Sequence, residues 1–431
     1  MSVVGATLPG MTEELWVRVH RGTQEIGGTC IELEAGGARL VLDVGRPLSA
    51  RAGDAVELPA VRGLASGDDP SLLGVVISHG HLDHYGLLDQ VSPDVPVFAG
   101  KAAAAVVEAA RFFSPGPSLR PTVHLADRVP LRIGPFTVTP YLVDHSAFDA
   151  YALQIDACGR RVFYTGDLRG HGRKSVLFER LVAEPPEHVD TLIMEGTHVR
   201  ASADDVPAQR TESEADVERA IAGTLRATRG LVVVAASAQN VDRLVSCYRA
   251  ARRAGRTLLV DLYGVAVAQA TSRSSIPQPG FPSLGVWVPR RQKLRVLRSG
   301  EFRRTAEVRG LRVFDEQIAA RPDRYAIYTG SSSIAELAAG ALDASGAVIW
   351  SMWSGYLSEA SGTRLRGLCA AKRIPFVEHH TSGHASVADL RRLCAAIDAR
   401  AVVPIHTEGA ARYGDFFPRA AERRDGDWWA A

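Results

Sequence analysis

Long apolar runs are missing from this chain of 431 residues. No apolar stretch approaches the roughly 18 residues that a membrane-spanning helix needs, so we expect no transmembrane segment. The first residues, MSVVGATLPGMTEELW, lack the basic region and apolar core of a secretory signal peptide. Together these absences favour a protein of the cytoplasm.

Cysteine and lysine are both scarce. The five cysteines are scattered without a CxxC pair, which is typical of reduced, buried thiols and excludes a disulfide framework. Only four of the 50 basic residues are lysines, so arginine, the better bidentate ligand for phosphate, carries nearly all the positive charge. The net charge of +2 gives no whole-protein argument for a polyanionic partner.

The composition is that of a globular protein, with 46% apolar and 23% charged residues. It predicts a large packed core in two or three domains. Residues 16–170 are predicted to form short strands separated by turns, with one helix at 101–113. From about residue 205, helices and strands alternate, which favours a parallel sheet flanked by helices. The first of these helices is predicted to start at a capping box formed by Thr211 and Glu214.

The second unit is predicted to be an insertion in the first. We place the first part of the outer domain at residues 1–204, the inserted domain at 205–372 and the C-terminal part of the outer domain at 373–431. The reason is that residues typical of metal sites resume after the insertion, in HHTSGHAS and VVPIHTEG.

Three histidines and an aspartate lie within six residues of the stretch VISHGHLDHYG, directly after an apolar run. His79, His81 and Asp83 are spaced by two, so an extended backbone would project them to one side. His84 would point to a neighbouring position if a helix begins there. Imidazoles with a carboxylate are the ligand set of zinc or a similar ion. A histidine-rich surface turn is the alternative, but four such residues after a buried strand favour metal binding.

One short stretch cannot complete two coordination spheres, and three further candidates end predicted strands. They are His145 in YLVDHSAFD, Asp167 in VFYTGD and His406 in VVPIH. Strand ends are rigid positions for ligands, and a carboxylate can bridge two ions. Each of these residues alone could serve only the core or a turn, but together with the cluster they suffice for two metals.

The order of these motifs resembles the metallo-β-lactamase superfamily, in which HxHxDH precedes a distant histidine, an aspartate in GD and a late histidine. TLIMEGT, the α/β insertion, TSGHAS and PIHTEG are similar to the β-CASP branch of RNA- and DNA-processing nucleases. Within it the chain is most similar to ribonuclease J, without that family's C-terminal domain. The resemblance covers nearly the whole chain and implies an α/β protein: an αββα metallo-β-lactamase sandwich with an inserted β-CASP domain, whose parallel sheet is flanked by helices.

The resemblance also implies two metal sites that share a carboxylate. The first would be formed by His79, His81 and His145, the second by Asp83, His84 and His406, with Asp167 common to both. Zinc is the expected metal, with manganese as the alternative. Two such ions, roughly 3.5–4 Å apart, lower the pKa of a bound water from 15.7 to about 7 and so supply a hydroxide that attacks phosphorus.

Glu195 and His384 match the first two β-CASP motifs, in which the acid supports a histidine that contacts the scissile phosphate. They are predicted to be catalytic together with Asp83. His384 would stabilise the charge on phosphate oxygens and protonate the leaving oxygen, with Glu195 holding its tautomer. A strand-end acid that caps a turn is the alternative for Glu195.

Three residues are predicted to bind the substrate phosphate: Ser382, Gly383 and Arg169. Arg173 and Lys174 belong to the same basic stretch as Arg169. A second basic segment, 288–312, has nine arginines or lysines and is either a nucleic-acid track or a solvated helix face.

The predicted function is therefore hydrolysis of phosphodiester bonds in RNA, with single-stranded DNA as a second substrate. The alternatives are a hydrolase of small phosphodiesters or esters and a non-catalytic scaffold, but the intact ligand set argues against the scaffold. The segment VIWSMWSGYLSEASG departs from the Ser/Pro/Gly/Asn-rich loop of the 5′-monophosphate pocket in ribonuclease J. The missing C-terminal domain leaves the formation of a homo-oligomer open.

Overall fold

A computed structural model describes residues 14–51, 53–199 and 211–431. The predicted boundary between residues 204 and 205 and the first 13 residues of the N-terminal stretch considered above therefore lie outside the described residues. In chain order the strands are β1 (Leu15–Arg21), β2 (Cys30–Ala35), β3 (Ala38–Leu42), β4 (Leu72–Val76), β5 (Val97–Gly100), β6 (Val123–Leu125), β7 (Leu131–Ile133), β8 (Phe136–Leu142), β9 (Tyr151–Ala157), β10 (Arg160–Tyr164), β11 (Thr191–Glu195), β12 (Val232–Ala235), β13 (Thr257–Val260), β14 (Leu284–Val286), β15 (Tyr325–Thr329), β16 (Ala347–Trp350), β17 (Phe376–Glu378), β18 (Ala401–Ile405) and β19 (Trp428–Ala430).

The α-helices in the same ranges are α1 (Leu82–Tyr85), α2 (Lys101–Arg111), α3 (Ser175–Ala183), α4 (Glu214–Ala227), α5 (Val241–Arg253), α6 (Leu262–Ala270), α7 (Arg290–Ser299), α8 (Arg303–Ala306), α9 (Asp315–Ala320), α10 (Ile334–Ala338), α11 (Ala360–Ala371), α12 (Val387–Ile397) and α13 (Tyr413–Phe416). The helix predicted at 101–113 is confirmed as α2. None of the helices in the described part of the chain is long and apolar enough to cross a lipid bilayer.

Two sheets of the first unit face each other. One has the strand order β19-β1-β2-β3-β4-β5-β6, and the other has the order β18-β11-β10-β9-β8-β7. β1 and β8 alternate between buried and partly exposed residues, because successive side chains of a strand point to opposite faces. The buried side chains of both sheets, among them Val17 and Val138, form the core between them.

Helices cover the outer faces of this pair of sheets. Ala104 and Val107 of α2 pack with Val75 of β4 on the outside of the first sheet. Phe178 of α3 and Leu390 of α12 pack on the outside of the second sheet. The four layers are helix, sheet, sheet, helix, so the predicted αββα sandwich is confirmed.

The third sheet forms the inserted unit and is entirely parallel, with the order β14-β13-β15-β12-β16-β17. Its central strand β12 is buried along its whole length, as expected for a parallel sheet covered by helices on both faces. Apolar clusters that include residues of α4, α5 and α6 on one side and of α10 and α11 on the other provide that cover. β17 belongs to this sheet although it follows residue 372, where we predicted the insertion to end; the domain limits stay predictions.

The start of α4 differs from the prediction. Its N-cap is Ser213, whose hydroxyl accepts a hydrogen bond from the backbone N–H of Asp216, while the Asp216 carboxylate accepts one from the Ser213 backbone N–H. The capping box is therefore real but lies two residues after the predicted Thr211. Glu214 is not its acid, because the Glu214 side chain is buried in an ion pair with Arg243.

The carboxyl ends of several strands meet at one edge of the sandwich. β11 lies between β10 and β18 and runs parallel to both, so that Glu195 is paired with Ile405. In the other sheet β4 is parallel to β3 and β5. Loops that follow parallel strands leave a sheet from the same edge, which brings residues far apart in sequence together.

Candidate metal centre

The seven predicted ligands form two clusters at this edge. One consists of His79, His81 and His145, and the other of Asp83, His84, Asp167 and His406; within each cluster the ligand atoms all lie within 4.8 Å of one another. Asp167 also approaches the first cluster, since its Oδ2 lies 3.7 Å from His79 Nε2. The structure therefore brings together all seven side chains, with Asp167 between the two groups.

Several of the buried ligand atoms have no hydrogen-bond partner within the described residues. They are Nε2 of His79, His84 and His406 and both carboxylate oxygens of Asp167. The four residues are each at most 1% exposed, and burying unpaired polar atoms costs free energy unless a ligand satisfies them. Imidazole nitrogens and carboxylate oxygens converging in this way fit a first-row divalent cation such as zinc.

Asp43 orients the ring of His84. The Asp43 Oδ2 atom lies 2.8 Å from His84 Nδ1, which donates its proton and leaves Nε2 free to face Asp167. The hydroxyls of Ser78 and Tyr164 donate to the same carboxylate atom at 2.8 Å. Sequence reasoning missed this role of Asp43, although its position in LDVG, at the end of β3, is the signal that could have identified it.

The first cluster is prepared for a metal by its protonation states. His145 Nδ1 donates to the carbonyl oxygen of Gly383 at 2.6 Å, which leaves Nε2 only 3.1 Å from His81 Nδ1. Burial, followed by the neighbouring imidazoles, lowers the pKa of His79 and of His145 well below the ordinary value. Both rings are therefore held in the neutral form that binds metal ions.

Glu195 lies behind His384 and acts mainly through its neighbours. Glu195 Oε2 is 3.6 Å from His384 Nδ1, whereas the Thr197 hydroxyl lies 3.0 Å from the same nitrogen. The Glu195 oxygens accept hydrogen bonds of 3.0 Å from the backbone N–H groups of Ala385 and Thr197. Burial would lower the pKa of His384, but the carboxylates of Asp167 and Glu195 outweigh it and raise this pKa to about 9.

The Thr197 hydroxyl is thus within hydrogen-bond distance of His384 Nδ1, whereas the role of Glu195 in holding the His384 tautomer stays a prediction. Glu195 contributes its negative charge and fixes the backbone on one side of His384 and at Thr197. Thr197 was not recognised from the sequence, and only its place two residues after Glu195, in TLIMEGT, pointed to it.

Ser382 and Gly383 lie between the first cluster and His384. The Ser382 hydroxyl accepts a hydrogen bond of 3.1 Å from the backbone N–H of His384. A Cβ atom at Gly383 would lie 2.6 Å from the Ser146 hydroxyl oxygen, so only glycine allows the loop to approach His145 this closely. The binding of phosphate by these two residues stays a prediction.

The Arg169 side chain, which we predicted to bind the substrate phosphate, is directed at partners within the chain. The side chain is fully buried. Its Nη2 atom donates to Asp242 at 2.6 Å and its Nη1 atom donates to the Ser382 carbonyl oxygen at 2.9 Å, while Nε lies 3.4 Å from Asp144 Oδ1. A guanidinium directed at these partners connects the metal-ligand loop with the inserted unit.

Arg173 and Lys174 also join the two units instead of facing the cleft. Arg173 donates to Ser246 and forms an ion pair with Glu218. Lys174 lies 2.9 Å from both carboxylate oxygens of Asp242. The basic stretch after Asp167 is therefore part of an interface within the chain.

Two residues of the basic segment 288–312 also contact the first unit. Arg295 donates to the carbonyl oxygen of Phe112, and the Arg304 guanidinium lies 4.1 Å from the centre of the Phe112 ring. For the segment as a whole, the nucleic-acid track and the solvated helix face both stay predictions.

Comparison with known proteins supports the metal centre. A β-lactamase superfamily domain matches residues 49–233. Ribonuclease J of Sinorhizobium meliloti is 31% identical over 198 residues, which are 44% of this chain and 34% of that protein. Ribonuclease J of Mycobacterium tuberculosis is 29% identical over 248 residues, which are 54% of this chain and 42% of that protein. The matches thus span less than half the length of these relatives.

A crystal structure of a protein of unknown function from Enterococcus faecalis V583 has the same fold. It superposes with a TM-score of 0.79 at 21% identity and covers 97% of this chain and 100% of its own. The agreement extends over both the sandwich and the inserted parallel sheet.

Proposed function

Residues 49–233 match a β-lactamase superfamily domain, and from this premise we propose that the chain is a two-metal nuclease of the β-CASP type that hydrolyses phosphodiester bonds of RNA. Single-stranded DNA is the second substrate. One observation carries the proposal: two converging ligand clusters lie beside His384, which Glu195 and Thr197 support from behind. Similarity to ribonucleases J supports nucleic acid as the substrate class.

The metals would be held by the three histidines of the first cluster and by the four residues of the second. When bound, two divalent ions, which we propose to be zinc, activate a water molecule and neutralise negative charge on the phosphate. Asp83 is the ligand best placed to assist that water, because its side chain is 12% exposed whereas that of Asp167 is 1% exposed.

His384 supplies the proton-transfer group. Its side chain is 21% exposed, so one edge of the ring can face a substrate in the cleft. The Glu195 charge favours the protonated ring, which can stabilise the phosphate oxygens and donate a proton to the leaving oxygen. The hydrogen bonds that the backbone N–H groups of Ala385 and Thr197 donate to Glu195 keep the ring in place during this transfer.

Incubation of the purified protein with zinc or manganese and end-labelled single-stranded RNA tests the proposal. The wild type should cleave the RNA, and a His81→Ala, Asp83→Ala double variant should not. His124→Ala is the matched control, because His124 is exposed on β6 and belongs to neither cluster. Equal inertness of the wild type and the double variant on RNA and DNA with varied ends would falsify the proposal.

A hydrolase of small phosphodiesters or esters is the alternative function. It is favoured by one feature, the exposed apolar side chains of Trp353 and Tyr356 in the segment that departs from ribonuclease J. Turnover of a small phosphodiester by a protein that neither binds nor cleaves oligonucleotides would select this alternative. Metal analysis showing about two ions per chain is expected for both functions.

A further inference from the structure

Two large aromatic side chains are exposed after β16. Trp353 is 58% exposed and Tyr356 is 44% exposed. Their rings meet edge to face, with centroids 5.3 Å apart and an interplanar angle of 84°. Because the rings are nearly perpendicular, each of them offers its own exposed apolar surface to an incoming ligand.

The backbone holds the two rings in place. The carbonyl oxygen of Trp353 accepts hydrogen bonds of 3.3 Å from the Trp350 indole N–H and from the Tyr356 backbone N–H. Residues Ser354–Leu357 form a 3₁₀ turn. A Cβ atom at Gly355 would collide with the Trp353 indole ring, so the glycine allows this ring to lie against the turn.

The aromatic pair lies on the same side of the inserted sheet as the loop that carries His384. β16 and β17 are parallel neighbours in which Trp350 pairs with Glu378, so the segments that follow them leave the same edge. The Ser351 hydroxyl donates to the carbonyl oxygen of His379, which ties the two segments together.

The Asp83 carboxylate of the second ligand cluster acts electrostatically on Tyr356. Partial burial raises the pKa of Tyr356, and the carboxylate of Asp83 raises it further. The position of the pair is given by the pairing of β16 with β17, which puts the two rings on the side of the inserted sheet that carries the His384 loop.

We propose that Trp353 and Tyr356 form a stacking platform for one nucleobase of the strand that is being cleaved. The proposal rests on the proposed nuclease function and adds to it a contact with a base. The segment after β16, residues 351–360, offers aromatic rings for such a contact and has no lysine or arginine for a phosphate. Every base has a flat π-face, so such a platform tolerates any sequence while fixing the position of the strand. It would raise affinity for single-stranded substrates, since bases in a duplex are already stacked on one another.

The test is cleavage of a short single-stranded RNA in which one base at a time is replaced by an abasic residue. With the metal-loaded wild type, an abasic residue at the stacked position should raise KM on the order of tenfold, within the range of base–aromatic stacking. Trp353→Leu keeps apolar bulk but removes the large ring. The variant should have a KM on the intact strand that is raised by a similar factor. An abasic residue at the stacked position should not raise the KM of the variant any further.

Three further variants sharpen the test. Trp353→Phe should restore most of the affinity, and Gly355→Ala should raise KM by displacing the indole ring. Trp428→Ala is the matched control, because Trp428 is an exposed tryptophan on the edge strand β19, and its KM should match the wild type. Metal content and the thermal unfolding midpoint of each variant identify any that are misfolded, and Tyr356→Leu provides an independent substitution if Trp353→Leu is among them.

The outcomes separate the platform from the nuclease function. If the wild type cleaves RNA but the variants at 353, 355 and 356 keep the wild-type KM, the platform is refuted and the nuclease function stands. Equal sensitivity of wild type and Trp353→Leu to every abasic position also refutes it. If the wild type hydrolyses only a small phosphodiester, the nuclease function fails, and a raised KM of Trp353→Leu would assign the rings to an apolar group of that substrate.

Discussion

The Arg169 guanidinium donates a hydrogen bond of 2.9 Å to the carbonyl oxygen of Ser382, two residues before His384. The same side chain is bound to Asp242 in the inserted unit. Arg169 itself follows the predicted metal ligand Asp167 by two residues. The buried Arg169 side chain thus connects the predicted metal ligands, the loop that carries His384 and the second unit of the chain.

Removal of Arg169 should destabilise the whole protein. Arg169→Met leaves Asp144 and Asp242 buried with less compensation, and breaking one side of a buried ion pair costs about 3–5 kcal/mol. Urea unfolding with and without the substitution measures this loss. Arg160→Ala is the control, because the pair of Arg160 with Asp190 is partly exposed and worth at most about 1 kcal/mol. Equal stability losses for the two variants would contradict the assignment.

Thr197 should matter for turnover and not for metal binding. Thr197→Val removes the hydroxyl that lies 3.0 Å from His384 Nδ1, and loss of such a supporting hydrogen bond typically costs about 10- to 100-fold in activity. We expect kcat on RNA to fall by a factor in this range while metal content stays at the wild-type level. Thr197→Ser retains the hydroxyl and should recover most of the rate. If Ser and Val lower kcat equally, the hydrogen bond is not the cause.

Asp43 should control metal affinity. Asp43→Asn removes the charge that orients His84. The new amide can turn its own N–H toward His84 Nδ1, which carries a hydrogen and needs an acceptor. Metal affinity should fall about 10- to 100-fold, as measured by competition with a chelator. Tyr164→Phe removes only one donor to the Asp43 carboxylate and should have a smaller effect. An unchanged affinity in Asp43→Asn would exclude this orienting role.

The seven residues of the two clusters could be predicted from sequence because their pattern is local or lies at strand ends. HxHxDH places four ligands within six residues, and His145, Asp167 and His406 each follow an apolar strand. The position of Arg169 could not be predicted in this way. A basic residue two positions after a metal ligand can face either the cleft or the interior, and the choice depends on Asp242, which lies in the inserted unit far along the chain. The same holds for Thr197, whose partner His384 follows it by 187 positions.

The junction of the two units should make the protein sensitive to acid in two overlapping pH ranges. Burial, followed by the charge of Arg243, lowers the pKa of His380 to about 3. Burial would raise the pKa of Glu214, but Arg243 and Arg169 outweigh it and lower this pKa to about 2. Both values lie below the ordinary pKa values of 6.5 and 4.5.

For each group the unfolded chain binds a proton at a higher pH than the folded protein does, so stability falls as the pH falls. The contribution of His380 is lost from about pH 6.5 downward and that of Glu214 from about pH 4.5 downward, each with a slope of at most about 1.4 kcal/mol per pH unit.

His380→Gln should therefore flatten the pH dependence of the unfolding free energy between pH 6.5 and 4.5. Glu214→Gln should lower stability at pH 7, where the ion pair with Arg243 is complete, and flatten the dependence only below pH 4.5. Urea titrations at a series of pH values measure both effects, and each variant is compared with the wild type under the same metal conditions so that acid release of metal cancels. A wild-type slope retained by His380→Gln above pH 4.5 would show that His380 takes up its proton equally in the folded and unfolded states.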